Sequence, residues 1–266
     1  MRFFYLKFII NLMVSTVNKI NTYKDIQREP NYNLGFSSLI SYFLIPTIVS
    51  IICSQLIKEE NTAIAYSIFI GNIIYIFFMF LFFKELRIRV LDFLFATSSK
   101  DFKRNFITII VLILIYYFIL GLLNIIMAGI YSGIENSSFS DFFKTSSVNQ
   151  STLEEAINSE TGFKAFMLFM GVVMLGPLVE EIAFREGLFS MIKNPIIALI
   201  TSSLVFGFIH IITSLDNLDE LYYLPMYIWS GIVFSIIYFS TDYNYIYSTI
   251  SHVFINLVTY IFVVSI

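Results

Sequence analysis

The sequence is poor in charged residues and in cysteine. Asp, Glu, Lys and Arg make up only 13% of its 266 residues, whereas a typical soluble domain is about 25% charged. The single cysteine, Cys53, cannot form a disulfide within the chain, and its position in an apolar run indicates a packing role. These scarcities exclude a disulfide framework and disfavour a soluble domain.

Apolar residues are abundant instead. Hydrophobic residues account for 58% of the chain, and the mean hydropathy is +0.80. This composition predicts an all-α, polytopic bundle of transmembrane helices. No linker is long enough to separate two domains, so we expect one integrated membrane domain. Residues 1–162 would hold an interfacial segment, three spans and an outer loop, and residues 163–266 a four-helix core.

Seven apolar stretches are long enough to cross a bilayer, which needs about 20 residues per helix. They are residues 36–57, 62–83, 104–130, 163–192, 196–213, 221–240 and 244–265. The N-terminal segment MRFFYLKFIINLMVSTVNK is interrupted by Lys7. It predicts an interfacial amphipathic helix, with a cleaved signal peptide as the alternative. Residues 131–162, between the third and fourth stretches, are too polar to lie in lipid.

Lys and Arg lie mostly on one side of the predicted spans, in the N-terminal segment, in the loop after the second span and at Lys193. The other side has only Lys58, Lys144 and Lys164. Its acidic residues are Glu135, Asp141, Glu154, Glu155, Glu160, Asp216, Asp219 and Glu220. Because cytoplasmic loops carry an excess of Lys and Arg, we expect a multi-pass protein of the cell membrane. Its N-terminus would be cytoplasmic and its C-terminus extracytoplasmic. We expect the lipid bilayer as a partner and no nucleic acid.

Three predicted spans carry polar residues deep in the bilayer. Glu180, His210, His252 and Asn256 lie roughly 20, 21, 12 and 18 Å from the face rich in Lys and Arg, at about 1.5 Å per residue. A charged group near the bilayer centre costs at least roughly 2.5–3.5 kcal/mol, so such groups usually face the interior of a bundle or a wet cavity. The agreement in depth predicts one buried site, nearer the cytoplasmic side, with access from that side.

Spacing around the two adjacent glutamates predicts different partners for them. Glu181 and Arg185 are four residues apart, so they share a helix face and can pair. Glu180 is about 100° away around the helix and stays available. Gly176-Pro177, just upstream, predicts a kinked or loosened helix with room for water.

The three polar segments resemble the motifs of one family. EEIAFR, residues 180–185, is similar to the EExxxR motif of the CAAX-processing and bacteriocin-processing intramembrane proteases. FGFIH, residues 206–210, resembles the family's FxxxH motif, and HVFIN, residues 252–256, its HxxxN motif. All three occur in the family's order, each on a separate apolar stretch. The resemblance covers about residues 163–266 and implies a membrane endopeptidase.

Four residues can supply the chemistry of peptide hydrolysis, which needs an activated water, a polarised carbonyl and a proton for the leaving amine. Glu180 can act as general base, and His210 can position or deprotonate the same water. His252 and Asn256, one turn apart, can donate hydrogen bonds to the developing oxyanion. The resemblance implies the same roles.

A metal is the open question. Glu180, His210 and His252 can also form the three-ligand shell of a catalytic Zn²⁺, although the compact HExxH signature is absent. The family has been described both as metalloproteases and as metal-independent glutamate proteases, so both mechanisms stay open.

Three further residues are expected to support the site rather than to act in it. Arg185 is expected to hold Glu181, and Phe206 to pack beside His210.

The function has alternatives at this level. Some relatives are thought to act by binding, as membrane immunity proteins or as regulators without catalysis. Buried Glu and His also form proton relays in transporters, but no internal repeat typical of transporters is visible. The composition suggests a low-GC bacterium, where the family is associated with bacteriocin or pheromone peptide processing and self-immunity. We therefore expect a peptide or a membrane-anchored protein as substrate.

Overall fold

The computed structural model describes residues 30–96, 100–159 and 161–265. Within these residues the chain forms nine helices longer than three turns, three short 3₁₀-helices and no β-strand. The helices are α1 (Tyr32–Leu56), α2 (Glu60–Phe82), α3 (Lys84–Ala96), α4 (Lys100–Ile134), α5 (Val148–Ser159), α6 (Gly162–Met191), α7 (Pro195–Ile209), α8 (Leu224–Ser240) and α9 (Tyr245–Ser265). The predicted interfacial helix at the N-terminus lies outside the described residues.

Seven of these helices coincide with the seven predicted apolar stretches. The helices α1, α2, α4, α6 and α9 are long and apolar enough to cross a membrane. The helices α7 and α8 have only 15 and 17 residues. At about 1.5 Å per residue they reach roughly 22–26 Å, less than the roughly 30 Å of a hydrocarbon core. The all-α, multi-pass fold is thus confirmed, with five candidate spans and two shorter apolar helices.

One end of the bundle, here called the basic face, is formed by α3, the start of α1 and the turns at 192–194 and 241–244. Asn31 at the start of α1 donates its backbone N–H to Ser190 O at 2.8 Å. Asn244 Nδ2 donates to Arg89 O of α3 at 2.9 Å. These bonds fix the end of α6 to the start of α1 and the start of α9 to α3, which carries Lys84, Arg87 and Arg89.

The opposite end, here called the acidic face, is formed by the turn after α1 and by residues 135–159 and 210–223. The N–H of Val148 donates to Glu220 Oε1 at 2.8 Å, which joins the first turn of α5 to the segment between α7 and α8. The polar loop predicted from the sequence therefore contains a helix that is held against the bundle.

The helix α6 alternates between α-helical and π-helical turns. Its π-helical segments are Met170–Leu175 and Glu181–Leu188. Pro177 lies between them and has no N–H to donate to the preceding turn, which accounts for part of the loosening. Asn72 Nδ2 of α2 donates to Gly171 O at 3.0 Å and so satisfies one carbonyl of the first π-helical segment. The predicted loosened helix is present, and π-helical turns of this kind occur often at functional sites.

Two glycines let α7 and α8 pack closely. A Cβ atom on Gly231 would lie 2.9 Å from Ser203 Cα, and one on Gly207 would lie 3.0 Å from Ile228 N. Small residues at such contacts allow helix backbones to approach each other in apolar surroundings. The close approach fixes α8 against the end of α7 that carries His210.

Candidate active site

Glu181 begins the second π-helical segment of α6 and is fully buried with its partner. Its Oε2 lies 3.3 Å from Arg185 Nε, and both side chains are 0% exposed. The Arg185 guanidinium also donates to Ser202 Oγ at 3.2 Å and to Gly231 O at 3.5 Å. It lies over the Phe206 ring, 4.9 Å from the centroid. The predicted Glu181–Arg185 pair is present, and it is embedded in further contacts, as a buried ion pair requires.

His252 of α9 lies between the two glutamates. Its Nδ1 is 3.1 Å from Glu181 Oε1, and its Nε2 is 3.7 Å from Glu180 Oε2. An ionised carboxylate can only accept hydrogen bonds, so Nδ1 donates and Nε2 is the nitrogen that faces Glu180. The ring is stacked on Phe234 with centroids 4.2 Å apart. Glu181 therefore has a second partner besides Arg185, which the sequence did not predict.

Glu180 is the more accessible of the two acids. Its side chain is 20% exposed, against 0% for Glu181. Its Oε2 has no hydrogen-bond partner among the described residues. The phenol of Tyr42 on α1 is close enough to interact with it electrostatically. Glu180 is thus the carboxylate that stays available, as its position on the helix predicts.

His210 directly follows α7 and is held on both sides. Its Nδ1 is 2.6 Å from Phe206 O. A carbonyl can only accept, so Nδ1 donates and the neutral ring keeps its lone pair on Nε2. This bond also satisfies one of the last carbonyls of α7, which have no partner within the helix. The ring of Tyr227 on α8 stacks on His210 with centroids 4.6 Å apart.

Asn256 lies one turn beyond His252 on α9. Its Nδ2 donates to Val172 O at 3.2 Å, a carbonyl of the first π-helical segment. The amide nitrogen carries two N–H groups, so this bond leaves one for a ligand.

Glu180, His210, His252 and Asn256 line one cavity of about 600 Å³. A cavity of this size is in the range that holds a small molecule or a few residues of a peptide. The structure therefore brings together the four residues that the sequence predicted to act together. Phe206, which is 2% exposed, packs behind them rather than lining the space.

Several cavity residues were not predicted from the sequence. They are Tyr42 on α1, Asn72 on α2, Gln150 on α5 and Tyr227 on α8. Asn72 carried a usable signal, because an amide in an otherwise apolar span needs a partner. The two tyrosines carried none, because the chain has 17 tyrosines and aromatic residues are common along membrane helices.

The cavity is bordered by the acidic face. Gln150, Leu153 and Ile157 of α5 line it, as does Ile212 in the segment after α7. Within the described residues, no side chain of α3 lines it. The lining therefore lies toward the acidic face and gives no support to the access from the basic face that the sequence led us to expect: the residue count gave the depth of the polar groups but not which elements enclose the cavity.

The side chains predicted to bind a metal are not gathered into a ligand shell. In the described part of the chain, no group of three or more His, Cys, Asp or Glu side chains is placed to hold a metal ion. The Nδ1 atom of His210 is engaged by Phe206 O, and that of His252 by Glu181, so each ring presents its Nε2, as a metal-bound histidine does when its other nitrogen is hydrogen-bonded. Among the described residues there is thus no preformed zinc shell, and Zn²⁺ binding by Glu180, His210 and His252 stays a prediction.

Comparison with known proteins finds a family match in the C-terminal region. Residues 162–258 match the family model described as type II CAAX prenyl endopeptidase, Rce1-like. The match confirms, for these residues, the resemblance to the CAAX-processing and bacteriocin-processing membrane proteases. An uncharacterized protein of Mycoplasma capricolum is 32% identical over 93 residues, and the match covers 35% of this chain and 26% of that relative's length. No solved structure matches the chain.

Proposed function

We propose that this chain, whose residues 162–258 match the Rce1-like family, is an intramembrane endopeptidase that hydrolyses a peptide bond with a water activated by Glu180. One observation carries the proposal: groups from α6, α7 and α9 converge on one cavity. At its wall, Glu180 Oε2 is 3.7 Å from His252 Nε2.

The first step is attack by water. The Glu180 carboxylate, whose side chain is 20% exposed and lines the cavity, takes a proton from the water while the water oxygen bonds to the scissile carbonyl carbon. His210 orients the same water, because its Nδ1–H is used on Phe206 O and its Nε2 can accept. A carboxylate and a neutral imidazole on one water are suited to general-base catalysis.

The second step is collapse of the tetrahedral intermediate. His252, in its imidazolium form, donates a hydrogen bond from Nε2 to the oxyanion. The carboxylate of Glu181, which accepts from His252 Nδ1, balances the positive charge of the ring. The second N–H of Asn256 donates to the same oxygen. The carbon–nitrogen bond then breaks, and Glu180 returns its proton to the leaving amine. The products are a carboxylic acid and an amine, and the enzyme is restored.

The decisive experiment replaces one carboxylate by its amide. Glu180→Gln should lower kcat on a membrane-proximal peptide by about 10²–10⁴-fold, the usual contribution of a general base. Glu60→Gln is the matched control, because Glu60 is an exposed acid at the start of α2 and does not line the cavity. Unchanged cleavage by Glu180→Gln would remove the catalytic role of this residue. Metal analysis of the purified active protein tests separately whether Zn²⁺ takes part.

We further propose a biological role in processing a bacteriocin or pheromone peptide, or in self-immunity, rather than in the maturation of prenylated proteins. The low-GC character suggested by the composition supports this choice. The non-catalytic alternative, an immunity or regulatory binding protein, makes the opposite forecast for the same variants. Under that alternative, Glu180→Gln and His210→Ala would leave the phenotype intact, while changes in α1, α2 or α4 would abolish it.

A further inference from the structure

The ring of His210 packs against two aromatic rings. Phe206, one turn earlier on the same helix, lies 4.5 Å from it between centroids, with an interplanar angle of 44°. Tyr227 of α8 is stacked on it, with centroids 4.6 Å apart and an angle of 22°. The bond from Nδ1 to Phe206 O fixes the tautomer, but the terminal torsion of a histidine is broad and one hydrogen bond leaves the ring plane free to turn. The stacked ring of Tyr227 therefore limits where Nε2 points.

The backbone of α8 holds Tyr227 at this place. A Cβ atom on Gly207, near the end of α7, would lie 3.0 Å from the backbone nitrogen of Ile228, the residue after Tyr227. The two helices thus approach each other closely at the level of the stacked rings, as small residues allow in apolar surroundings. Tyr227 is carried by a fixed element and not by a loop.

The hydroxyl of Tyr227 is anchored as well. It forms a hydrogen bond with Ser147 Oγ at 2.7 Å, and Ser147 is 3% exposed. The same Oγ accepts from the N–H of Gln150, in the first turn of α5, at 3.3 Å. A continuous set of contacts therefore runs from the first turn of α5 through Tyr227 to His210.

A neighbouring tyrosine makes the same kind of bond without reaching the cavity. Tyr223, one turn before Tyr227, donates its hydroxyl to Thr145 Oγ1 at 2.6 Å. Its ring stacks on Phe142 with centroids 5.8 Å apart, and it does not line the cavity, whereas Tyr227 does. Both tyrosines bind the segment before α5, but of the two only Tyr227 covers a residue of the proposed site.

From these contacts we infer that Tyr227 is a positioning residue for the hydrolysis: its ring sets the plane of His210 so that Nε2 faces the attacking water, and its bond to Ser147 holds that ring. The inference rests on the proposed function, in which His210 orients the water, and it names what orients His210. A displacement of about 1 Å at a reacting group can cost roughly a hundredfold in rate. Loss of Tyr227 should therefore act on kcat more than on KM.

The test compares Tyr227→Phe and Tyr227→Leu with the matched control Tyr223→Phe, using the full-length protein in lipid vesicles and a membrane-proximal peptide. Tyr227→Phe keeps the stacked ring and loses the bond to Ser147, so kcat should fall about threefold to tenfold, the usual effect of one hydrogen bond. Tyr227→Leu also loses the stacked ring and should lower kcat by about tenfold to a hundredfold, with KM within about threefold. Tyr223→Phe removes an equivalent bond and should leave kcat within about twofold.

The comparison is decided by the differences between variants. Equal kcat values for Tyr227→Phe and Tyr223→Phe would overturn the inference, as would a wild-type kcat in Tyr227→Leu, and either result would leave the proposed endopeptidase intact. If Tyr227→Leu does not fold, the two phenylalanine variants decide the question, because each of them removes a single hydroxyl.

A chemical readout that needs no cleavage completes the test. The chain has two histidines, His210 and His252, so acylation of each ring by diethyl pyrocarbonate can be followed by mass spectrometry of its own peptide. The ratio of modified His210 to modified His252 should rise at least about threefold in the Tyr227 variants, because the His210 ring is less constrained. It should not change in Tyr223→Phe. An unchanged ratio in the Tyr227 variants would overturn the inference whatever the cleavage rates show. If the wild-type protein cleaves no peptide, the proposed function fails, and this ratio alone decides whether Tyr227 positions His210.

Discussion

Two adjacent glutamates in this chain have very different surroundings. Glu181 is 0% exposed and lies between Arg185 and His252. The side chain of Glu180 is 20% exposed and reaches the cavity. The difference follows from the helix, because neighbouring positions point about 100° apart. Glu181 therefore stabilises the packing of the helices, and Glu180 is available for catalysis.

The two glutamates should separate stability from activity. Glu181→Gln removes one partner of a buried ion pair and leaves Arg185 uncompensated, which costs about 3–5 kcal/mol of folding free energy in comparable cases. Glu180→Gln removes no ion pair with Arg185 and should change the melting temperature little while abolishing cleavage. Thermal unfolding of both variants in the same detergent, together with their cleavage rates, checks this. A Glu180→Gln variant that unfolds as early as Glu181→Gln would mean that both acids are structural.

At the level of residues, the sequence supported most of the site. Glu180, His210, His252 and Asn256 were predicted because ionisable and amide groups are costly in lipid and therefore stand out. Tyr42 and Tyr227 were not, because an aromatic residue in a membrane helix is unremarkable in sequence and gains meaning only from its neighbours. The contact between Glu181 and His252 could be found only in the structure, because sequence spacing predicts no contacts between separate helices.

At the level of elements, the apolar stretches predicted helices well, whereas their irregularities needed the structure. The proline in α6 predicted a loosened turn, but not two π-helical segments. The helix α5 was not predicted, because its sequence is mostly polar and contains no apolar stretch long enough to cross a membrane. Its stability comes from contacts distant in sequence, among them the bond between Val148 and Glu220.

Glu220 should hold α5 over the cavity. It is 1% exposed, and its Oε1 accepts from the N–H of Val148 in the first turn of α5 at 2.8 Å. An acid at a helix N-terminus typically contributes about 0.5–2 kcal/mol through the hydrogen bond and the helix dipole. Glu220→Ala should therefore speed hydrogen exchange of the α5 amides by roughly threefold to thirtyfold. Asp219→Ala, at the exposed neighbouring residue, is the control. Equal hydrogen exchange of the α5 amides in the two variants would contradict the role of Glu220 in holding α5.

The close contact between α7 and α8 should tolerate no added methyl group. A Cβ on Gly231 would lie 2.9 Å from both Ser203 Cα and Ser203 O, so Gly231→Ala must push the two helices apart. The backbone carbonyl of Gly231 accepts a hydrogen bond from Arg185. The displacement of α8 would therefore also disturb the Glu181–Arg185 ion pair beside the site. We expect a loss of about 1–3 kcal/mol of stability, as for other overpacked interiors.

Gly121→Ala is the matched control for that contact. A Cβ at Gly121, in the interior of α4, meets no atom within 4 Å. It should be neutral or stabilising by up to about 1 kcal/mol, because alanine is the better helix former. Unfolding curves of the two variants measure the difference, and equal stabilities would mean that α7 and α8 can separate freely.

At the scale of the whole molecule, the two ends of the bundle differ in charge and in role. The charge bias of the sequence predicted which end faces the cytoplasm, and counting residues predicted the depth of the polar groups. Neither could predict that the cavity lies toward the acidic face, because that depends on where the short helix α7 stops and on α5, which covers that face. If the basic face is cytoplasmic, the cavity lies toward the outer side of the membrane.

Cysteine labelling on intact cells tests that orientation directly, because the chain has a single buried cysteine, Cys53. In a Cys53→Ala background, Asn158→Cys places one thiol on the exposed side of α5, and Asp92→Cys places one on the exposed side of α3. Because Lys and Arg concentrate on the α3 side, a membrane-impermeant maleimide should label the thiol at position 158 on intact cells. The thiol at position 92 should react only after the membrane is opened. The reverse pattern would place the acidic face, and the cavity that lies toward it, on the cytoplasmic side. The topology inferred from charge would then have to be inverted, while the architecture of the site stayed the same.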